Sequence, residues 1–106
     1  MSFDFNKVTS DMLSVVGQNI DSHHQEVVSA AAAQFLQRDK ERLQLMTELV
    51  LSGELTAEKF QSRLVDEKLL LEAELNALAV LSKAVAQKAA NAAIDVFQKA
   101  VSTAMK

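Results

Sequence analysis

The sequence predicts an all-α fold, an antiparallel helical hairpin of two long arms that assembles into a four-helix bundle or larger helical oligomer. Three observations carry this. The 106 residues contain no Pro and only two Gly, so little interrupts a helix. Apolar residues make up 49% of the chain, and they recur at three- and four-residue spacing along most of it. The clearest punctuation, Ser52-Gly53 through Thr56, falls at the midpoint. The length corresponds to a single all-helical domain over 1–106.

In the first arm, Asp4, Asn6, Thr9 and Ser10 are all able to cap the opening helix. Val8, Met12, Leu13, Val16 and Ile20 then repeat at helical spacing. Gly17 reads two ways. It lies inside a continuous helix where a partner approaches closely, or it announces a break, with Ser22 capping a new helix and Gln25 completing a capping box. The continuous arm is the expectation, because folding the arms back around Ser52-Gly53 sets Gly17 opposite Ala89, Ala92 and Ala93. Val28, Ala32, Phe35, Leu43, Met46 and Val50 continue the stripe, which Asp39 interrupts and Arg42 flanks.

At the midpoint, Gly53 ends the first arm, since glycine takes the left-handed conformation at little cost. Thr56 caps the second arm, and Leu55 and Phe60 have the spacing of a hydrophobic staple. The hairpin register brings Val50 to Phe60, Met46 to Leu64, Phe35 near Leu75, and Arg42 level with Glu67.

The second arm, Ala57 to about Ala104, reads as one helix about 70 Å long at 1.5 Å per residue. Its main seam is Phe60, Leu64, Leu71, Leu75, Leu78, Val85, Ala89, Ala92, Val96 and Ala100. A second apolar sector follows Val65, Leu69, Val80, Ile94 and Val101. That arc is wider than the stripe of about 100° that one-sided packing needs. In a two-helix hairpin, Leu69, Leu70, Val80, Leu81, Ile94 and Val101 are therefore the expected interface. A second copy would cover it, making a homo-oligomer, dimer or higher; another helical protein is the other candidate partner.

Candidate chemical sites are few. His23 and Glu26 stand at i and i+3 and offer two metal ligands, short of a closed site. Glu67 and Glu74 lie one heptad apart, and with Arg42 and Lys68 near they read as structural ion pairs; Asp39 reads the same way. Met12, Met46 and Met105 read as core filler. With no Cys there is no thiolate chemistry, and no nucleophilic triad, phosphate loop or dinucleotide fingerprint is present. No enzyme, cofactor or metal is expected. The net charge of −3 and the absence of Lys/Arg clusters argue against nucleic acid. The Ala-rich segment Lys83–Met105 has few lysines on its polar face and includes Asp95, a poor match for a membrane surface. Met1–Asn6 has neither a basic nor an apolar leader region, so a cytoplasmic location is the default and leaderless export stays open.

Two family resemblances bear on function. The turn Leu51-Ser52-Gly53, with Phe60 beyond it, resembles in layout the small secreted helical hairpins built on a Trp-x-Gly turn, although Leu51 replaces the defining Trp. The Ala-rich tail is similar in texture to the phasins, which coat granules. The expected function is a non-catalytic, self-associating structural subunit or helix-binding adaptor. The alternatives are a secretion-related hairpin, as leaderless export substrate or export chaperone, and a lipid- or granule-surface protein.

Overall fold

Capping side chains mark where three of the helices start. A computed structural model describes residues 3–105; Met1 and Ser2, where the leader reading begins, lie outside it. The described residues form five helices and no strand: α1 (Phe5–Gln18), α2 (Gln25–Arg38), α3 (Lys40–Leu51), α4 (Ala57–Asn76) and α5 (Lys83–Ala104). Asp4 caps α1 by accepting from the Lys7 amide at 3.1 Å. Thr56 caps α4 by accepting from the Lys59 amide at 3.2 Å, and Leu55 and Phe60 are both buried beside it, as the staple requires. Ser82 caps α5 the same way, accepting from Val85 at 3.2 Å.

The expected pair of long arms is corrected at two places. The first arm breaks over residues 19–24, after α1 has run through Gly17. Polar side chains take over the backbone there. Asn19 Nδ2 donates to the Val15 carbonyl at 2.8 Å. Gln25 Nε2 donates to the carbonyls of Gly17 and Ile20 at 2.9 and 3.2 Å. Asp21, rather than Ser22, accepts from the amide of His24 at 3.2 Å. Gly17 lies against α2, where an added Cβ would sit 3.8 Å from Ser29 Oγ, in ordinary contact. The alanines of α5 are not among its nearest neighbours.

The second arm breaks over residues 77–82, which no Gly or Pro announces. Ala79 turns the chain with φ at +59°, the only positive φ outside glycine among the described residues. The midpoint turn uses Gly53 for the same purpose, at φ +84°. A left-handed alanine costs about 1–2 kcal/mol. Replacing Ala79 with Gly removes most of that strain while loosening the unfolded chain, so Ala79→Gly should raise stability by about 0.5–1 kcal/mol. Thermal unfolding checks this, and a lower melting temperature would show that the turn is not held in that conformation.

Asp39, by contrast, only distorts the chain. Its amide still reaches the Phe35 carbonyl at 3.0 Å, and the Leu43 amide reaches the Asp39 carbonyl at 3.0 Å. So α2 and α3 make one bent arm. Four rods result: α1, α2–α3, α4 and α5. Consecutive rods pack antiparallel, as the pairs Phe5–Lys40, Arg42–Glu67, Arg38–Glu74 and Phe60–Phe97 show, and α5 closes the ring against α1. The molecule measures 42 × 23 × 20 Å, far shorter than the long hairpin.

The core runs through all four rods. Phe5, Val8, Met12 and Val16 come from α1, and Val28, Ala32, Phe35, Leu43, Met46 and Val50 from the bent arm. Phe60, Leu64, Leu71 and Leu75 come from α4. At one end Phe97 meets Phe60 with ring centroids 6.2 Å apart, and Phe3 edge-on at 6.5 Å. On α5 the break changes which face is inside. Ala86, Ala89, Ala90, Ala93, Ile94, Phe97 and Val101 are buried, whereas Val85, Val96 and Ala100 of the expected seam are half-buried. The small alanines let α1 come close. Met12 and Met46 are core residues as expected; Met105 is not, and stands exposed just past α5.

Candidate functional site

Among the large apolar side chains left exposed, Val27, Leu45, Leu51, Val80 and Met105 stand elsewhere, and three fall together on α4. Phe60, Leu64, Leu71 and Leu75 commit one side of this helix to the core. Val65 and Leu69, four residues apart, lie on the opposite side, exposed by 52% and 58%. Leu70 is 46% exposed and turns toward the bent arm, over shallow pockets that also involve Arg38, Arg42 and Asp66.

The six interface positions read from the sequence separate into three groups. Leu69, Leu70 and Val80 are exposed, and Leu81 is half-buried against the core. Ile94 and Val101 are fully buried inside the single chain. Those two had to meet a second copy only in the absence of the break at residues 77–82. With it, α1 covers them. Val65 is legible as part of the second sector but belongs with the exposed group. Leu45, 54% exposed on α3, stands outside every spacing pattern in the sequence.

Beneath Leu70 lies a charged seam between the bent arm and α4. Glu67 is 2% exposed, a buried carboxylate on the core side of α4. Arg42 grips it with two hydrogen bonds, Nε to Oε1 at 2.6 Å and Nη2 to Oε2 at 3.0 Å. The same guanidinium reaches Asp39 Oδ2 at 2.9 Å. The hydrogen bonds to Glu67 raise the pKa of Arg42 first; partial burial opposes this, and the charges of Glu67 and Asp39 add to it. One turn earlier on the bent arm, Arg38 Nη2 bonds Glu74 Oε1, a heptad beyond Glu67 on α4. The expected level pairing of Arg42 with Glu67 is thus present. Each carboxylate of the Glu67–Glu74 pair is held by its own arginine.

The other candidates hold no constellation. His23 and Glu26 are exposed, and His24 Nδ1 sits 3.0 Å from Asp21 Oδ1 within the α1–α2 loop. No group of three His, Asp or Glu side chains among the described residues is placed to hold a metal ion. A groove of about 480 Å³ runs between α1 and α5, with Phe3, Val8 and Ala100 along it and Lys7, Asp11 and Lys99 among its charged neighbours. Lys7 pairs with Asp11 at 3.0 Å and Lys99 with Asp95 at 3.4 Å, so these rim charges are largely answered within their own helices. No helix among the described residues is long and apolar enough to cross a membrane.

The chain matches no protein-family model, no curated protein and no solved structure.

Proposed function

We propose that this protein is a non-catalytic association module, and that the outward face of α4 docks a helical partner, the first candidate being a second copy of the chain. The observation that supports this is the exposed pair Val65 and Leu69, with Leu70 beside them, on a helix whose other side is already committed to the core. Side chains at i and i+4 form the stripe that one helix offers another. Three aliphatic side chains make a modest patch, smaller than the interface of an obligate dimer. The association this supports is therefore reversible and concentration-dependent.

Light scattering across a concentration series tests the reading. The wild-type mass should rise from one chain toward two as concentration increases. The double variant Val65→Glu/Leu69→Glu should stay a single chain, because association would bury four carboxylates without partners. Its helical circular dichroism should be unchanged, since both positions face solvent. A wild-type protein that remains one chain throughout would leave the face to a different helical partner and end the self-association reading.

A further inference from the structure

We propose that the 77–82 turn is a hinge, and that two copies of this chain exchange α5 through it, each copy's α5 filling the place of the other's in the bundle. The proposal rests on self-association as the protein's activity, but not on the Val65–Leu69 face. Three observations lead to it.

The first is strain at a position that need not carry it. Ala79 holds φ at +59°, in the region that L-residues other than Asn and Asp seldom enter. Straightening residues 77–82 into helix releases that strain. The second is the sequence of the turn. Ala77-Leu78-Ala79-Val80-Leu81 contains no Gly, Pro, Asn or Asp, and continuous helix suits it as well as a turn does. Backbone bonds from the Leu78 and Ala79 amides to the Leu75 and Asn76 carbonyls close this turn, and Ser82 caps the helix beyond it, but no side chain of residues 77–81 holds it. The other two turns are held differently. Residues 19–24 are held by side-chain hydrogen bonds from Asn19, Asp21 and Gln25, and the midpoint turn by Gly53 and a 2.9 Å bond from the Leu55 amide to the Leu49 carbonyl. Only the α4–α5 turn joins a strained residue to a helix-forming sequence.

The third observation identifies the occupant. A straightened α4–α5 would lift α5 out of its own bundle and uncover Ala86, Ala90, Ala93, Ile94, Phe97 and Val101, all buried in the closed chain. No monomer sustains that exposure. A second chain opened in the same way presents the one surface already shaped for this face, the site vacated by its own α5. The exchanged dimer thereby repeats the contacts that α5 makes with the core of the monomer. It adds a new one where the two straightened hinges cross, bringing together Leu78, Val80 and Leu81, which are half-buried or exposed in the single chain.

The experiment uses the full chain, which has no native cysteine. Lys7→Cys and Thr103→Cys place one thiol on each wall of the α1–α5 groove. The protein is incubated at high concentration, separated by size, and each fraction is treated with a short bismaleimide. Exchange predicts that the dimer fraction gives a covalent two-chain band on a denaturing gel, while the monomer fraction cross-links within one chain. X-ray scattering of the dimer should give a longest dimension about twice the 42 Å of the single chain. At the hinge, Ala79→Gly should reduce the dimer fraction by roughly tenfold or more, by relieving the turn and weakening the straight helix. Ala79→Val should increase it, because a β-branched residue tolerates positive φ least.

A dimer whose cross-link stays within one chain overturns the exchange and leaves face-to-face association standing. A dimer fraction insensitive to both Ala79 substitutions also overturns it. If the wild type and Ala79→Val both remain single chains, the exchange and the self-association on which it rests fall together.

Discussion

Truncating Phe97 to Ala should cost about 3–5 kcal/mol of folding free energy, the usual range for a fully buried phenylalanine. Phe97 has no exposed surface and is the one ring that meets both Phe3 and Phe60. Three rods converge on it: α5 carries it, α4 supplies Phe60, and the chain entering α1 supplies Phe3. Removing the ring loses its transfer energy and leaves a cavity that straight helices cannot collapse to fill. It also loses the aromatic pairs, worth about 0.5–1.5 kcal/mol each beyond buried area. A domain of this length is stable by about 5–15 kcal/mol, so the variant forfeits a large share of that margin. Urea unfolding measures it directly. Phe97→Leu, which keeps most of the volume, should lose much less. A loss below about 1 kcal/mol for Phe97→Ala would mean that the three rods do not converge on this ring.

The second large effect concerns charge. Arg42→Ala should destabilise the fold by about 3 kcal/mol, because it strands the carboxylate of Glu67 in the core. The loss comes chiefly from the unpaired buried charge and only secondarily from the missing contact. Arg42 is half exposed, so some water will reach the vacated position and keep the loss toward the low end of the range for a broken buried pair. The double variant Arg42→Met/Glu67→Leu supplies the contrast. It removes both charges and fills the seam with apolar volume, so it should recover most of the loss or exceed wild-type stability. Chemical denaturation of the two variants side by side decides the point. If the double variant is no more stable than Arg42→Ala, the penalty does not arise from a stranded Glu67. Arg38→Ala is the internal control: Glu74 is more exposed than Glu67, and an exposed pair contributes only about 0–1 kcal/mol.

The charged seam is legible in the amino-acid sequence. Arg42 and Glu67 flank two apolar stripes, and folding the chain at Ser52-Gly53 sets them level. The turn itself is equally legible, because Gly53, Thr56, Leu55 and Phe60 each have a local physical role: a left-handed stop, a hydroxyl cap and a staple. The exposed sector on α4 can be read from Val65, Leu69 and Leu70, since the position of a residue around a single helix depends only on its spacing. The break at residues 19–24 is legible as an alternative, though through Ser22 where Asp21 makes the bond.

The helical class, the midpoint turn, the apolar faces of α1, the bent arm and α4, and the pairing of the bent arm with α4 can all be read from the amino-acid sequence, whereas the inward face of α5 cannot. These follow from local rules of spacing, capping and backbone freedom. That each arm folds back once more, making the four-rod bundle from one chain, follows from long-range packing. The signal for the second fold-back is weak in the sequence, since Ala77–Leu81 favours helix and Ser82 alone is a faint mark of a new start. What turns the chain there is the burial gained when Ile94, Phe97 and Val101 reach α1, offset by one strained alanine. That balance joins α1 to residues more than 70 positions later in the chain, and no window of local sequence contains it.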